Sequence, residues 1–111
     1  MKLILPMPPS VNSLYRNVPG RGRVPSGLYQ RWRKAADDAM WGQKKQRIEG
    51  PVIIVITLQP KGRYDVDNKI KAVLDLLVRY GIIEDDDHHI VKQVTSRIGD
   101  VVGCEVEIGC L

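Results

Sequence analysis

With 111 residues, 43 % of them hydrophobic, the chain is long enough for one core and too short for a second module. Its longest strongly apolar run, residues 52–58, is far below the roughly 20 residues of a membrane span. The opening Met1-Lys2-Leu3-Ile4-Leu5-Pro6 is too short and too soon broken by proline for a signal peptide, so a soluble cytoplasmic protein with no membrane partner is expected. The net charge of +4 is unevenly spread: residues 1–47 hold ten Lys and Arg against Asp37 and Asp38, and residues 48–111 hold seven against eleven acids. The basic half suits a polyphosphate backbone, and the acidic half suits a cation that bridges to the same phosphates. Any single one of these cations is by default a solvated side chain, and the segregation carries more information than any member.

Residues 2–5 read as a short strand that ends at Pro6-Met7-Pro8-Pro9. From Arg16 to Gly27 the chain is rich in Arg, Gly and Pro without apolar periodicity, which predicts a flexible loop carrying Arg16, Arg21 and Arg23. Asn12 and Tyr15 are candidates to fix this region through side-chain hydrogen bonds. Ser26 can cap a helix continuing to about Arg47, with Leu28, Trp32, Ala35, Ala36, Ala39 and Met40 as its buried stripe. Trp41, at the border of that stripe, is expected to pack rather than to stack on a base. Gly50-Pro51 ends the helix, and the β-branched run Val52–Leu58 predicts an inner strand covered on both faces or lying at a subunit contact.

Asp65 and Asp67 carry the chemistry. In an extended segment residues two apart point to the same side, so two carboxylates can lean toward one ion. Oxygen donors of this kind suit Mg²⁺ or Mn²⁺, which take one or two protein carboxylates and leave other positions to water and phosphate. The alternative is that Asp67 simply caps the following helix. A calcium loop of the EF-hand type is excluded, because Lys69 and Ile70 stand where a ligand and an obligatory glycine are needed. Lys71, four residues beyond Asp67, would share its helical face and could hold a phosphate there, or it could form an i,i+4 ion pair with Asp67 or Asp75. Ile70, Val73, Leu74, Leu77 and Val78 give the helix an apolar stripe, and Gly81 suits its C′ position. The acidic run Glu84-Asp85-Asp86-Asp87 follows, and the fold is expected to bring it to the first acidic pair around the cation.

Residues 90–97 read as a strand, Gly99-Asp100 as a turn, and the alternation from Cys104 to Cys110 as a half-buried last strand. Cys104 and Cys110 would stand about 20 Å apart along one strand, so no disulfide joins them, and both read as buried thiols. His88 and His89 face opposite ways in an extended chain and lack partners with zinc-ligand spacing. The predicted order is β-α-β-α-β-β: a single α+β domain over residues 1–111, with two main helices packed on one mixed sheet.

Asp65-Val66-Asp67-Asn68 with Lys71, Asp75, Leu76, Gly81 and the aspartate run ending at Ile90 resembles the signature of the RusA family of Holliday junction resolvases. Leu5-Pro6-Met7-Pro8-Pro9-Ser10-Val11-Asn12, followed by Tyr15-Arg16, resembles that family's N-terminal motif. The resemblance implies a homodimeric, Mg²⁺-dependent endonuclease that makes paired symmetric nicks in four-way junction DNA during recombination and repair. It places catalytic and metal-binding aspartates at Asp65 and Asp67 and the catalytic lysine at Lys71. The third acid falls on Asp87 by the motif's local pattern and on Asp86 by ungapped counting from Asp67. Asn12, Tyr15, Arg16, Arg21, Arg23 and Asn68 form the expected DNA-contacting set. The rivals are a nucleic-acid-binding module that does not cut and a nuclease of the same fold acting on other branched DNA.

Overall fold

A computed structural model describes residues 1–111. Its centre is β4 (Val52–Leu58), the β-branched run. It pairs parallel with β5 (Val91–Ile98) and antiparallel with β6 (Cys104–Cys110), and β1 (Lys2–Leu5) closes the sheet antiparallel to β6, giving the order β1-β6-β4-β5. Two helices, α1 (Gly27–Trp41) and α2 (Ile70–Arg79), supply the rest of the core. The result is the expected α+β domain with a mixed sheet and two main helices.

Alternation along β4 explains which side is covered. Val52, Ile54, Ile56 and Leu58 are fully buried and share one core with residues of both helices. Ile53 and Val55, on the opposite face, are only half-buried. The strand is central, but the helices cover one of its faces rather than both.

In α2 the residues Ala72, Val73, Leu76 and Leu77 are buried, with Ile70, Leu74 and Val78 packed at their margin. Each fully buried leucine contributes about 1.5–3 kcal/mol, so this face alone fixes the helix on the sheet. Gly81, at φ +69°, follows the helix; its amide donates to Val78, while the Ile82 amide donates back to Leu77. That left-handed residue is what glycine at C′ supplies.

Three further expectations change here. Residues 16–27 are not a loose loop: β2 (Tyr15–Val18) and β3 (Gly22–Pro25) form an antiparallel hairpin whose turn uses positive φ at Gly20 and Gly22. These strands lack apolar alternation because they are largely solvated, so periodicity could not reveal them. Ser26 closes the hairpin's base: its amide donates to Leu14, and its hydroxyl donates to the Ser13 carbonyl at 2.6 Å while accepting from the Tyr29 amide at 3.0 Å.

Helix α1 stops at Trp41, short of Arg47. Gln43 leaves the helix to bond across the edge of β1, accepting from the Ile4 amide and donating to the Ile4 carbonyl, both at 2.6 Å. Lys45 donates to the carbonyls of Met40 and Gln43. Gln43 Nε2 also donates to the Ala39 carbonyl at 2.7 Å, so Lys45 and Gln43 together satisfy carbonyls at the end of α1 that a longer helix would have satisfied internally. The buried stripe is Tyr29, Trp32, Ala36 and Met40, rotated from the expected one; Leu28 is 48 % exposed and Trp41 is 89 % exposed, so Trp41 does not pack. The third change concerns the cysteines: Cys104 is buried as expected and Cys110 is exposed at the strand end, both as free thiols.

Candidate active site

After β4 the chain turns through Gly62, at φ +99°, where a left-handed backbone favours glycine. The Tyr64 hydroxyl donates to the Gln59 carbonyl and anchors the start of the acidic segment. Residues 65–68 then form a turn, with the Asn68 amide donating to the Asp65 carbonyl at 3.4 Å. Two distant segments hold this turn. The Ser96 hydroxyl of β5 donates to the Val66 carbonyl, and the Val11 amide donates to the Asn68 carbonyl at 2.8 Å. The N-terminal motif and the acidic motif, remote in sequence, are therefore neighbours.

Asp65 and Asp67 are both exposed on this turn. Asp67 does not cap α2, whose N-cap position is Lys69 with no side-chain cap bond. It stands before the helix, so Lys71 does not share a helical face with it. Lys71 instead reaches Asp75 Oδ1 and Asp86 Oδ2, both at 3.0 Å. The hydrogen bonds to Asp75 and then Asp86 raise the Lys71 pKa, and Lys71 in turn holds the Asp86 carboxyl below its ordinary range.

The two candidates for the third acid have different surroundings. Asp86 faces Lys71. Asp87 turns its carboxylate onto the His89 amide at 2.9 Å, and its carbonyl accepts from the amides of Ile90 and Val91. It shapes the entry to β5, a use of aspartate common in turns. The rings of His88 and His89 lie 4.1 Å apart and both residues are exposed.

No group of three or more His, Cys, Asp or Glu side chains is arranged to hold a metal ion, so the single chain does not gather Asp65, Asp67 and the later acids into one cage. In kind, the donors still fit a hard cation: Asp65 and Asp67 offer exposed carboxylate oxygens on one turn, and Mg²⁺ commonly uses one or two such ligands. Beside them the Asn68 side-chain oxygen is buried without a hydrogen-bond partner. Buried side-chain oxygens are normally hydrogen-bonded, so this one is free to accept from a ligand.

The expected DNA-contacting residues fall into two places. Asn12 is exposed on a single 3₁₀ turn, Val11–Ser13, whose cap is Ser10; the loop is fixed by Ser10 and Ser26 rather than by Asn12. Tyr15 packs edge-on against Tyr29 at 5.8 Å and carries Arg23 over its ring at 4.5 Å. Arg16, Arg21 and Arg23 are exposed on the hairpin, and no carboxylate lies within ion-pair distance of any of them. Sequence reasoning did not find Ser96, which a lone serine on a strand gives no means of finding. Asp75 is a member of the family signature and an expected i,i+4 partner of Lys71, and that pair forms.

A family model described as Endodeoxyribonuclease RusA matches residues 6–109. A search of curated protein sequences found no match.

Proposed function

Because this chain belongs to the RusA endodeoxyribonuclease family, a family of Holliday junction resolvases, we propose that it is a Mg²⁺-dependent enzyme that resolves four-way DNA junctions by paired symmetric nicks, in recombination and repair. The observation that carries this reading is Lys71 bridging Asp75 and Asp86 one turn beyond the acidic pair. Asp65 and Asp67 would hold the cation, with Asp86 as the third acid in preference to Asp87, whose carboxylate is committed to its own loop. A bound Mg²⁺, or Mn²⁺ in its place, would supply Lewis-acid polarisation of the phosphate and a more acidic water.

The chain's own residues do the remaining work. Hydrogen bonds to Asp75 and then Asp86 favour the charged form of Lys71, and its ammonium would offset charge building on the phosphate. Arg16, Arg21 and Arg23 on the hairpin, with Asn12, Tyr15 and Asn68 nearer the acidic turn, hold the DNA strand. A two-fold homodimer would present two such sites to the two symmetry-related strands of a junction. A cytoplasmic location accords with DNA as substrate, and no helix is long and apolar enough to cross a membrane.

The decisive experiment is nicking of a synthetic four-way junction beside linear duplex, in Mg²⁺, Ca²⁺ and EDTA, with Asp67→Asn as control. Symmetric nicks confined to the junction and to Mg²⁺, absent in the variant while binding persists, are expected. A second reading, a junction-binding protein that does not cut, draws support from the lack of a three-acid group within the chain. Tight binding with no cleavage in Mg²⁺ or Mn²⁺ would establish it instead.

A further inference from the structure

Beside the acidic turn lies a groove of about 420 Å³ that the proposed reaction does not use. Its apolar lining is Met7, Pro8, Pro9, Leu28 and Trp32, and its charged lining is Arg31 and Lys69. Much of this surface is pre-formed. Pro8 and Pro9 are buried with ring-locked backbones, and Trp32, 6 % exposed, is pinned by its Nε1 donating to the Pro6 carbonyl at 3.1 Å. Leu28, by contrast, points an apolar side chain at solvent from the first turn of α1.

The two cations are uncommitted. Neither Arg31 nor Lys69 has a carboxylate within ion-pair distance, and Lys69 meets only the Tyr64 ring, at 5.3 Å. Lys69 also belongs to the turn that carries Asp67, so the groove opens directly next to the candidate site. A surface that only tracks phosphates needs cations and no apolar wall. An apolar wall joined to two free cations matches an amphipathic guest, a planar base on its phosphate. The volume lies at the lower end of the range for small-molecule sites, roughly 300–1,000 Å³.

Resting on the nuclease reading above, we propose that this groove is a subsite for one unstacked nucleotide of the junction strand, with its base against Leu28 and the proline wall and its phosphate held by Arg31 and Lys69. Taking a base out of the stack costs a few kcal/mol and least where pairing is already disturbed, as at a crossover. Such a subsite would favour branched over linear DNA and would let the base itself influence where the strand is cut. Preformed walls lower the cost of capturing it.

The test places 2-aminopurine, one position at a time, at the bases flanking the crossover of a four-way junction. Occupancy is read separately from the anisotropy of a dye on a distant arm, in Ca²⁺ and at saturating protein. The wild-type protein is expected to raise emission about threefold or more at one position, as unstacking relieves quenching. Leu28→Glu, at an exposed position, should abolish the rise at full occupancy, and Arg31→Gln should at least halve it. Saturated binding with no brightening at any position, or an undiminished rise with Leu28→Glu, overturns the subsite while leaving the nuclease reading intact. Failure of the wild-type protein to bind the junction at all overturns both.

Discussion

Lys71 Nζ stands 3.0 Å from Asp86 Oδ2, and this contact separates two aspartates that are adjacent in the chain. Asp86 faces the candidate site, while Asp87 builds the loop into β5. Asp86→Asn is therefore expected to lower the single-turnover nicking rate by about 10²–10³-fold, a loss of roughly 3–4 kcal/mol of the several that a well-held cation supplies. Asp87→Asn should stay within about threefold, since an amide oxygen can still accept from the His89 amide. The reverse ranking would assign the third acid to Asp87.

The same ion pair makes a statement about stability and pH. Lys71 holds the Asp86 carboxyl below its ordinary range, so the folded protein releases that proton more readily than the unfolded chain. The stabilisation is full above the unfolded carboxyl value of about 3.9 and is lost as pH falls through the lower folded value. Because the lysine side chain is 48 % exposed, solvent screening limits the pair to about 0.2–1 kcal/mol. Urea denaturation of wild type and Asp86→Asn should show that gap near neutrality and its closure below about pH 4. On the alkaline side Lys71 acts with opposite sign: its raised pKa gives stability that is present below about 10.4 and lost as pH rises through the folded value.

The hairpin arginines supply a prediction in salt. Arg16, Arg21 and Arg23 are exposed and free of carboxylate partners. If each neutralises one phosphate, replacing any one by alanine should reduce the slope of log K against log salt by about 0.9. The loss should be uniform across DNA sequences. Junction binding titrated at several salt concentrations measures it, and an unchanged slope would remove that arginine from the DNA surface.

Gly103, immediately before β6, sits between the end of β1 and the residue that follows β4. Its φ is +74°, and a Cβ there would lie 2.5 Å from the Leu5 carbonyl oxygen. Its amide also donates to Gln59 Oε1, and its carbonyl accepts from the Gln59 amide, both at 2.9 Å. Gly103→Ala should cost about 2–3 kcal/mol through strain and backbone displacement. Gly42→Ala, with φ −93° and nothing within 4 Å of the added carbon, should change stability by no more than about 0.5 kcal/mol. Chemical denaturation of the two variants tests the contrast.

What the sequence alone determined are the features set by neighbours along the chain. The stripe Ile70–Val78 made α2 readable, the β-branched run made β4 readable, and alternation from Cys104 made β6 readable, because each element's face is written in its own periodicity. The family signature was equally local, resting on the short spacing from Asp65 to Lys71 and on the proline motif. The tertiary structure decided everything that depended on a partner from elsewhere. The early end of α1 depends on Gln43 meeting the edge of β1, and the hairpin on strands too solvated to leave a pattern. The meeting of the two motifs depends on an amide from Val11, and the different surroundings of Asp86 and Asp87 on which of them Lys71 can reach. Residue type and spacing state which groups are available; only the path of the chain brings a cation to one carboxylate and a backbone amide to the next.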